Sequence, residues 1–305
     1  MRRTIPLILV LAALAALDLL AGDGFGAATG VVLWKIRLPR MLTAAIAGGA
    51  LALAGAQMQA LFRNPLADPH IMGVSGGAGL GAAIAALAIG TSSVSMVSAA
   101  FAGALLTGLL VVGISSRIHS TGTLLLVGVM LGFIFSAVSS ILQYNAGEES
   151  LKLFYSWMAG SFSGTGYGAV TVMTAGLVIA LGISIINMKG LDLMLFGEDY
   201  AASCGVPLKR LRLFTMLGCA LVTGAVTAWC GPLGFVGIAA PHIVRKIYGT
   251  SAHRTVLPLS PVCGACLALA ADIAAHLGST PLPAGSTLAI IGIPLVIILL
   301  WKNRL

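Results

Sequence analysis

The sequence predicts an all-α polytopic membrane protein, and three observations carry that prediction. Of 305 residues, 58% are hydrophobic and only 9% are charged, whereas a soluble domain needs about a quarter charged residues to clothe its surface. Lipid must therefore cover most of the exterior. Apolar segments recur evenly along the chain, about ten of them at roughly 20 residues each, the length that crosses a bilayer core. The 39 glycines suit membrane helices that approach one another closely through small residues. This spacing leaves no room for a soluble domain, so residues 1–305 read as a single transmembrane unit.

The first segment, 5–22, follows Met1-Arg2-Arg3. Its apolar run is long for a signal-peptide core, and Asp18 is out of place before a cleavage site, so it reads as an uncleaved first span. The second, 41–62, contains the uncharged window Met41 to Phe62, about 33 Å long as a helix. Arg37 and Arg40 stand before it, and Arg63-Asn64-Pro65-Leu66-Ala67-Asp68-Pro69 follows as a tight polar turn with two prolines.

The third segment, 72–90, opens on Gly73-Val74-Ser75-Gly76-Gly77. This matches the G-x-S-x-G pattern of serine hydrolases, which needs a strand before it and Asp and His partners after it. Here it opens a membrane helix with no such partners in view. Gly73, Gly77 and Gly81 recur every fourth residue and give one smooth face for helix packing. Segments 94–116, 121–144 and 166–187 follow as plain apolar spans.

Residues 188–211 form the longest polar connection, and it is amphipathic. Gly197-Glu198-Asp199 puts acid at the start of a short helix, where the dipole favours it. Gly205 terminates that helix, with Pro207 just beyond. Leu193, Leu195 and Phe196 need something to pack on, either a lipid surface or a partner. The remaining spans are 209–230, 232–248, 257–277 and 284–301. Pro232 and Pro241 break the 232–248 segment, which carries charge near its end.

Charge placement orients the chain. With a cytoplasmic N-terminus, Arg2, Arg3, Arg63, Arg117, Lys189, Lys209, Arg210, Arg212, Arg245, Lys246, Arg254, Lys302 and Arg304 fall on the cytoplasmic side, 13 of the 17 Lys and Arg. Only Lys35, Arg37, Arg40 and Lys152 fall outside. This is the positive-inside bias, with both termini cytoplasmic. It also accounts for the net charge of +8 without nucleic acid, because no basic stripe with interleaved aromatics is present. Gly49-Ala-Leu-Ala-Leu-Ala-Gly55 echoes Gly218-Cys-Ala-Leu-Val-Thr-Gly224 in the opposite direction through the membrane, a pattern suggestive of an inverted repeat.

Chemistry-bearing residues are few. No G-x-x-x-x-G-K-[ST] occurs, so the chain has no P-loop with which to cradle ATP phosphates. Cys263 and Cys266 form a C-x-x-C inside a span without a second pair, which disfavours a zinc site. Cys204, Cys219 and Cys230 read as small apolar packers. Asp18 lies near the end of its span. Asp272 and His276, four residues apart on one helical face, form either a paired couple, a proton path or a docking site for an outside partner.

In order along nearly the whole chain, Ile36-Arg-Leu-Pro-Arg40, Gly55-Ala-Gln-Met-Gln59, Asn64-Pro-Leu-Ala67, Gly73-Val-Ser75, Leu124-Leu-Leu-Val-Gly-Val129, Trp157-Met-Ala-Gly160, Gly197-Glu198, Gly234-Phe-Val-Gly-Ile-Ala-Ala-Pro-His242 and Asp272 resemble the FecCD-type permeases of bacterial ABC importers for iron complexes and vitamin B12. The resemblance implies about ten transmembrane helices per subunit, a homodimer in the cytoplasmic membrane, two cytoplasmic ABC ATPase subunits and a periplasmic or lipid-anchored substrate-binding protein. The cargo is then a ferric siderophore, haem or cobalamin. ATP-Mg binds in the partner ATPase, and this chain holds no metal or cofactor and is not itself an enzyme.

The same resemblance assigns roles to residues. Arg37 and Arg40 match the outer arginines that accept glutamates from the binding protein, and their place outside the positive-inside trend agrees with an acidic partner. The ATPase-coupling element matches Gly197, Glu198, Asp199, Ala201, Ala202, Gly205, Val206 and Pro207. The cytoplasmic gate matches Asn64, Pro65, Leu66, Ser120 and Thr121, the proline stiffening the turn. The chain also departs from the family pattern. Its Asp272-Ile-Ala-Ala-His276 has histidine where the family has a docking arginine, and histidine's reference pKa of about 6.5 makes its charge pH-dependent near neutrality. Pro281-Leu282-Pro283 stands where the family has Glu-Leu-Pro. A proton-coupled secondary transporter using Asp272 and His276 is the alternative reading, and an intramembrane hydrolase using Ser75 a third.

Overall fold

A computed structural model describes residues 4–20, 30–89, 93–115, 117–118, 121–278 and 280–301, and among these there is no strand. The helices are α1 (Thr4–Leu20), α2 (Gly30–Leu61), α3 (Val74–Ile89), α4 (Ser93–Ser115), α5 (Thr121–Tyr144), α6 (Glu148–Met158), α7 (Tyr167–Met194), α8 (Glu198–Ser203), α9 (Leu208–Cys230), α10 (Val236–Tyr248), α11 (His253–Ala275) and α12 (Ala284–Trp301). Six of them, α2, α4, α5, α7, α9 and α11, are long and apolar enough to cross a membrane, and α1, α3 and α12 contain shorter apolar helices.

Helix α2 is the hub. It packs against α7, α9, α10 and α11, while α1 and α12 lean on α11, and α3, α4 and α5 form a second group joined to the hub through α4 and α9. The sequence explains why α2 can sit there. Its Ala- and Gly-rich face lets backbones touch: a Cβ on Gly48 would lie 2.3 Å from the Gly264 carbonyl oxygen of α11, and one on Gly55 would lie 2.0 Å from that of Gly237 in α10. The every-fourth-residue glycines of α3 do the same. A Cβ on Gly77 would strike Thr107, and one on Gly81 would lie 2.1 Å from the Ala99 carbonyl oxygen, both on α4.

Several boundaries differ from the sequence reading. Helix α2 begins at Gly30, not 41, and runs through Pro39 by means of a π-helical turn at Leu33–Arg37. The proline ring would meet the carbonyl four residues back and supplies no N–H, and the wider π turn falls where that clash would be. Arg37 and Arg40 therefore stand on a helix rather than at its mouth. Helix α6 was not expected; it lies in the connection after α5 and buries Phe154 and Trp157. Helix α7 continues through Lys189 to Met194. The broken segment 232–248 holds a helix of only 13 residues, about 20 Å long, preceded by a non-helical stretch at 231–234. Irregular backbone of this kind persists at membrane depth only where protein satisfies it. Here Ser161 N donates to the Cys230 carbonyl at 2.9 Å, and His70 Nε2 lies 2.7 Å from the Leu233 carbonyl oxygen.

Candidate functional site

The sequence-predicted site residues collect at the two ends of α2. Its α-helical part, Leu38–Leu61, has 24 residues, so the ends stand about 36 Å apart.

At the first end Arg40 is the centre of a buried ion cluster. Its Nε lies 2.9 Å from Asp272 Oδ2, and Nη2 lies 3.8 Å from Asp18 Oδ1 and donates to the Asp18 carbonyl at 3.2 Å. Arg40, Asp18 and Asp272 are 5%, 0% and 1% exposed. His276, at the C-cap of α11, keeps Nδ1 2.8 Å from the Asp272 carbonyl oxygen and 3.5 Å from its carboxylate. Arg37 donates from Nη1 to the Leu19 and Leu20 carbonyls at 3.2 Å, satisfying two orphan acceptors at the C-terminus of α1. One guanidinium thus staples α1, α2 and α11. Asp272 and His276 are paired with each other, and Asp18 is enclosed by protein.

At the second end the chain leaves α2 through Arg63, a non-glycine residue with φ of 49°. Asn64 Oδ1 accepts from Leu66 N at 2.9 Å, and Asp68 Oδ1 caps the 3-10 turn Pro69–Met72 by accepting from His70 N at 2.9 Å. These local side-chain turns, with Pro65 and Pro69 fixing φ, make the loop stiff. Pro65 and Leu66 are exposed at its tip. Of the other expected gate residues, Ser120 lies outside the described residues, and Thr121 is the first residue of α5.

Ser75 has partners that the sequence reading missed. Its Oγ bonds His70 Nδ1, and His70 Nε2 lies 3.8 Å from Asp68 Oδ1. The Leu233 carbonyl can only accept, so Nε2 carries the proton and Nδ1 accepts from the Ser75 hydroxyl. At 3.8 Å the Asp68 carboxylate makes no hydrogen bond to the ring, and it is engaged as a cap. The trio braces the turn, the start of α3 and the stretch before α10. His70 was legible only as a polar residue next to Pro69.

Helix α8 also belongs to the second end, since a Cβ on Gly197 would lie 3.8 Å from Arg63 Nη1. Gly197 adopts φ of +124° and Gly205 of +82°. Val206 N donates to the Ala201 carbonyl at 3.0 Å and Gly205 N to that of Ala202 at 2.9 Å, the paired pattern of a Schellman stop. Gly205 and Pro207 end the helix as expected. Glu198 and Asp199 occupy its first turn, and Glu198 Oε2 pairs with Arg212 of α9. Ala201 is buried while Ala202 is exposed. Phe196 and Tyr200 stand out 73% and 51% exposed, with ring centroids 5.5 Å apart.

Three further residues were given no role in the sequence reading. Gln59 Nε2 donates to the Gly237 carbonyl at 3.2 Å while its Oε1 accepts from Arg245, tying α2 to α10. Asp192, at the end of α7, accepts from His253 N at 2.8 Å and lies 2.7 Å from its Nδ1, capping α11 from another helix. Trp157 Nε1 donates to the Ala228 carbonyl at 3.0 Å, fixing α6 on α9. Cys219, Cys230, Cys263 and Cys266 are buried packers, but Cys204 is exposed at the C-cap of α8, against expectation.

A model of the FecCD transport family matches residues 4–302. The vitamin B12 import system permease protein BtuC of Citrobacter koseri is 38% identical over 288 residues, 93% of this chain and 87% of that protein. Its namesake in Vibrio cholerae is 37% identical over 278 residues, 90% and 83% of the two chains. A solved structure of an ABC transporter assigned to the metal-chelate type, in an inward-facing conformation, superposes with a TM-score of 0.91 at 30% identity over 99% of both chains.

Proposed function

This chain belongs to the FecCD transport family, and on that premise we propose that it is the membrane-spanning subunit of an importer whose cargo is cobalamin or a comparable metal chelate. The likeness to vitamin B12 permeases over nine-tenths of the chain carries the reading, and the likeness to a metal-chelate transporter supports it. The subunit pairs with a second copy in the inner membrane, two ATPase subunits bind ATP-Mg on the cytoplasmic side, and a binding protein delivers cargo outside. Ten spans follow if α1, α3, α10 with its preceding stretch, and α12 are added to the six long apolar helices. Both termini then face the cytoplasm.

The first end of α2 faces outward. Arg40 is balanced there by Asp18 and Asp272, so the docking role falls to Arg37 and His276 beside it, facing an acidic rim on the binding protein, the arrangement that steers docking and sets orientation. Arg40 contributes chiefly by holding α1, α2 and α11 in register. The second end faces inward. There the stiff Asn64-Pro65-Leu66 turn, with Ser120 and Thr121, closes the path to the cytoplasm. Helix α8 transmits the ATPase cycle, its glycine-framed geometry and Glu198–Arg212 pair making it a rigid lever on α9, with Phe196 and Tyr200 as the exposed apolar contact. Hinged closure of packed helices is the usual form of such a switch.

The test is ATP-driven uptake of cobalamin and of ferric siderophores by proteoliposomes holding this chain, its ATPase and its binding protein. Uptake that persists with a catalytically dead ATPase overturns the importer reading. Uptake of ferric siderophores but not cobalamin narrows the cargo to an iron chelate, and uptake of neither overturns the cargo. The proton-coupled alternative rests on Asp272 and His276, and the pairing of Asp272 with Arg40 and of His276 with Asp272 favours a brace over a relay.

A further inference from the structure

We propose that the cavity at the second end of the bundle, between the ends of α2 and α7 and the C-terminal half of α10, is a binding site for a phosphate group. The cavity has a volume of about 490 Å³, and Gln59, Arg63, His242, Arg245, Lys246 and Ser251 contribute its polar lining, with no acidic residue among the lining side chains.

The charge arrangement carries the inference. Arg63, Arg245 and Lys246 converge on one space, and among the described residues none of the three forms an ion pair. Arg245 is aimed by a neutral group: it donates to Gln59 Oε1, while Gln59 is held by the Gly237 carbonyl. Its positive charge is positioned but not neutralised. Arg63 is held there at a backbone cost, because φ of 49° is unusual for a side chain of its size. Backbone strain of this kind collects at ligand clamps and persists because the surroundings impose it. Like charges lining one cavity repel one another, and an anion among them reverses the sign of each interaction.

Phosphate suits the geometry better than carboxylate. Two guanidinium forks and one ammonium, brought together from the turn after α2 and from α10, suit an anion with acceptor oxygens in more than one plane. The Ser251 hydroxyl supplies a further donor. His242 Nδ1 is occupied at 2.9 Å by the Ile238 carbonyl, so its Nε2 is the atom left to the cavity. The phosphate comes either from the headgroup of an anionic phospholipid or from a free phosphate compound. Arg63 also touches the position of a Gly197 side chain, so occupancy bears directly on the start of α8. The inference rests on the cavity and stands whatever cargo the chain carries.

The full chain in neutral phosphatidylcholine nanodiscs is titrated separately with phosphatidylglycerol, read by retained lipid in native mass spectrometry, and with millimolar inorganic phosphate, read by thermal stability. Preferential retention of phosphatidylglycerol assigns the lipid source; stabilisation by inorganic phosphate without that preference assigns the soluble one. In either case R63Q/K246Q should weaken the effect at least about tenfold, as expected for losing charge-assisted hydrogen bonds, whereas R63K/K246R should keep most of it. Neither ligand having an effect overturns the proposal. So does an unchanged effect in R63Q/K246Q, or an equal loss in the charge-keeping variant.

Discussion

Arg40 Nε and Asp272 Oδ2 lie 2.9 Å apart with both side chains enclosed, joining α2 to α11. A buried pair of this kind adds little against an apolar replacement, but leaving one partner alone strands a charge at a cost of about 3–5 kcal/mol. D272A is therefore expected to lower the thermal stability of detergent-purified protein sharply. D18L/R40M/D272L should recover much of that loss, whereas R40M/D272L alone would leave the buried Asp18 carboxylate without Arg40. A double-mutant cycle in which the two single losses simply add would show that the pair is not coupled.

Arg37 donates to the last carbonyls of α1, and the proposed docking gives its charge a second role. R37E should weaken binding-protein association, increasingly as salt is lowered and screening lessens. Affinity and salt slope both unchanged would confine Arg37 to its intrachain carbonyls.

Glu198 pairs with Arg212 across α8 and α9. If α8 is the coupling lever, E198A should leave binding-protein docking intact while transport per ATP hydrolysed falls several-fold. Gly205, at φ of +82°, should behave alike, since alanine there pays for a left-handed backbone. Loss of docking with coupling preserved would contradict the assignment.

Gly55 and Gly79 make a matched pair of opposites. A Cβ at Gly55 would sit 2.0 Å from the Gly237 carbonyl oxygen, whereas one at Gly79 meets nothing within 4 Å. G55V should abolish monodisperse recovery after extraction. G79A should be neutral, or more stable by up to about 1 kcal/mol from helix propensity.

His70 links Ser75 to the Leu233 carbonyl. H70A leaves that carbonyl and the serine without their shared partner, at a cost of about 1–3 kcal/mol. Faster hydrogen exchange in the 64–75 turn and at 231–236 should report it. Exchange unaltered in both segments would mean that backbone contacts alone hold the turn.

Much of this molecule was legible in order along the chain. Apolar length marked the long helices, and their ends were off chiefly where polar residues continue a helix, as Lys189 and Asp192 do in α7. The stop at Gly205 and the acidic start at Glu198 were readable because capping is local chemistry. The short amphipathic α6 was hidden because 11 residues fall below the length at which a span declares itself. Cys204 was misread because residue type alone says nothing of which face of a cap it occupies.

The amino-acid sequence by itself determined an all-helical, lipid-covered chain, a basic cluster ahead of α2, a stiff turn after it and the resemblance to one transport family. These are properties of composition, periodicity and neighbours within a few residues. Only the tertiary structure decided what those charges meet. Arg40 finds Asp272 from 232 positions along the chain and Asp18 from 22, Arg212 finds Glu198, and Arg63, Arg245 and Lys246 converge on one cavity. Charge pairing acts through space over a few ångströms, and which residues come that close depends on how glycine-lined helices pack, which no local pattern records.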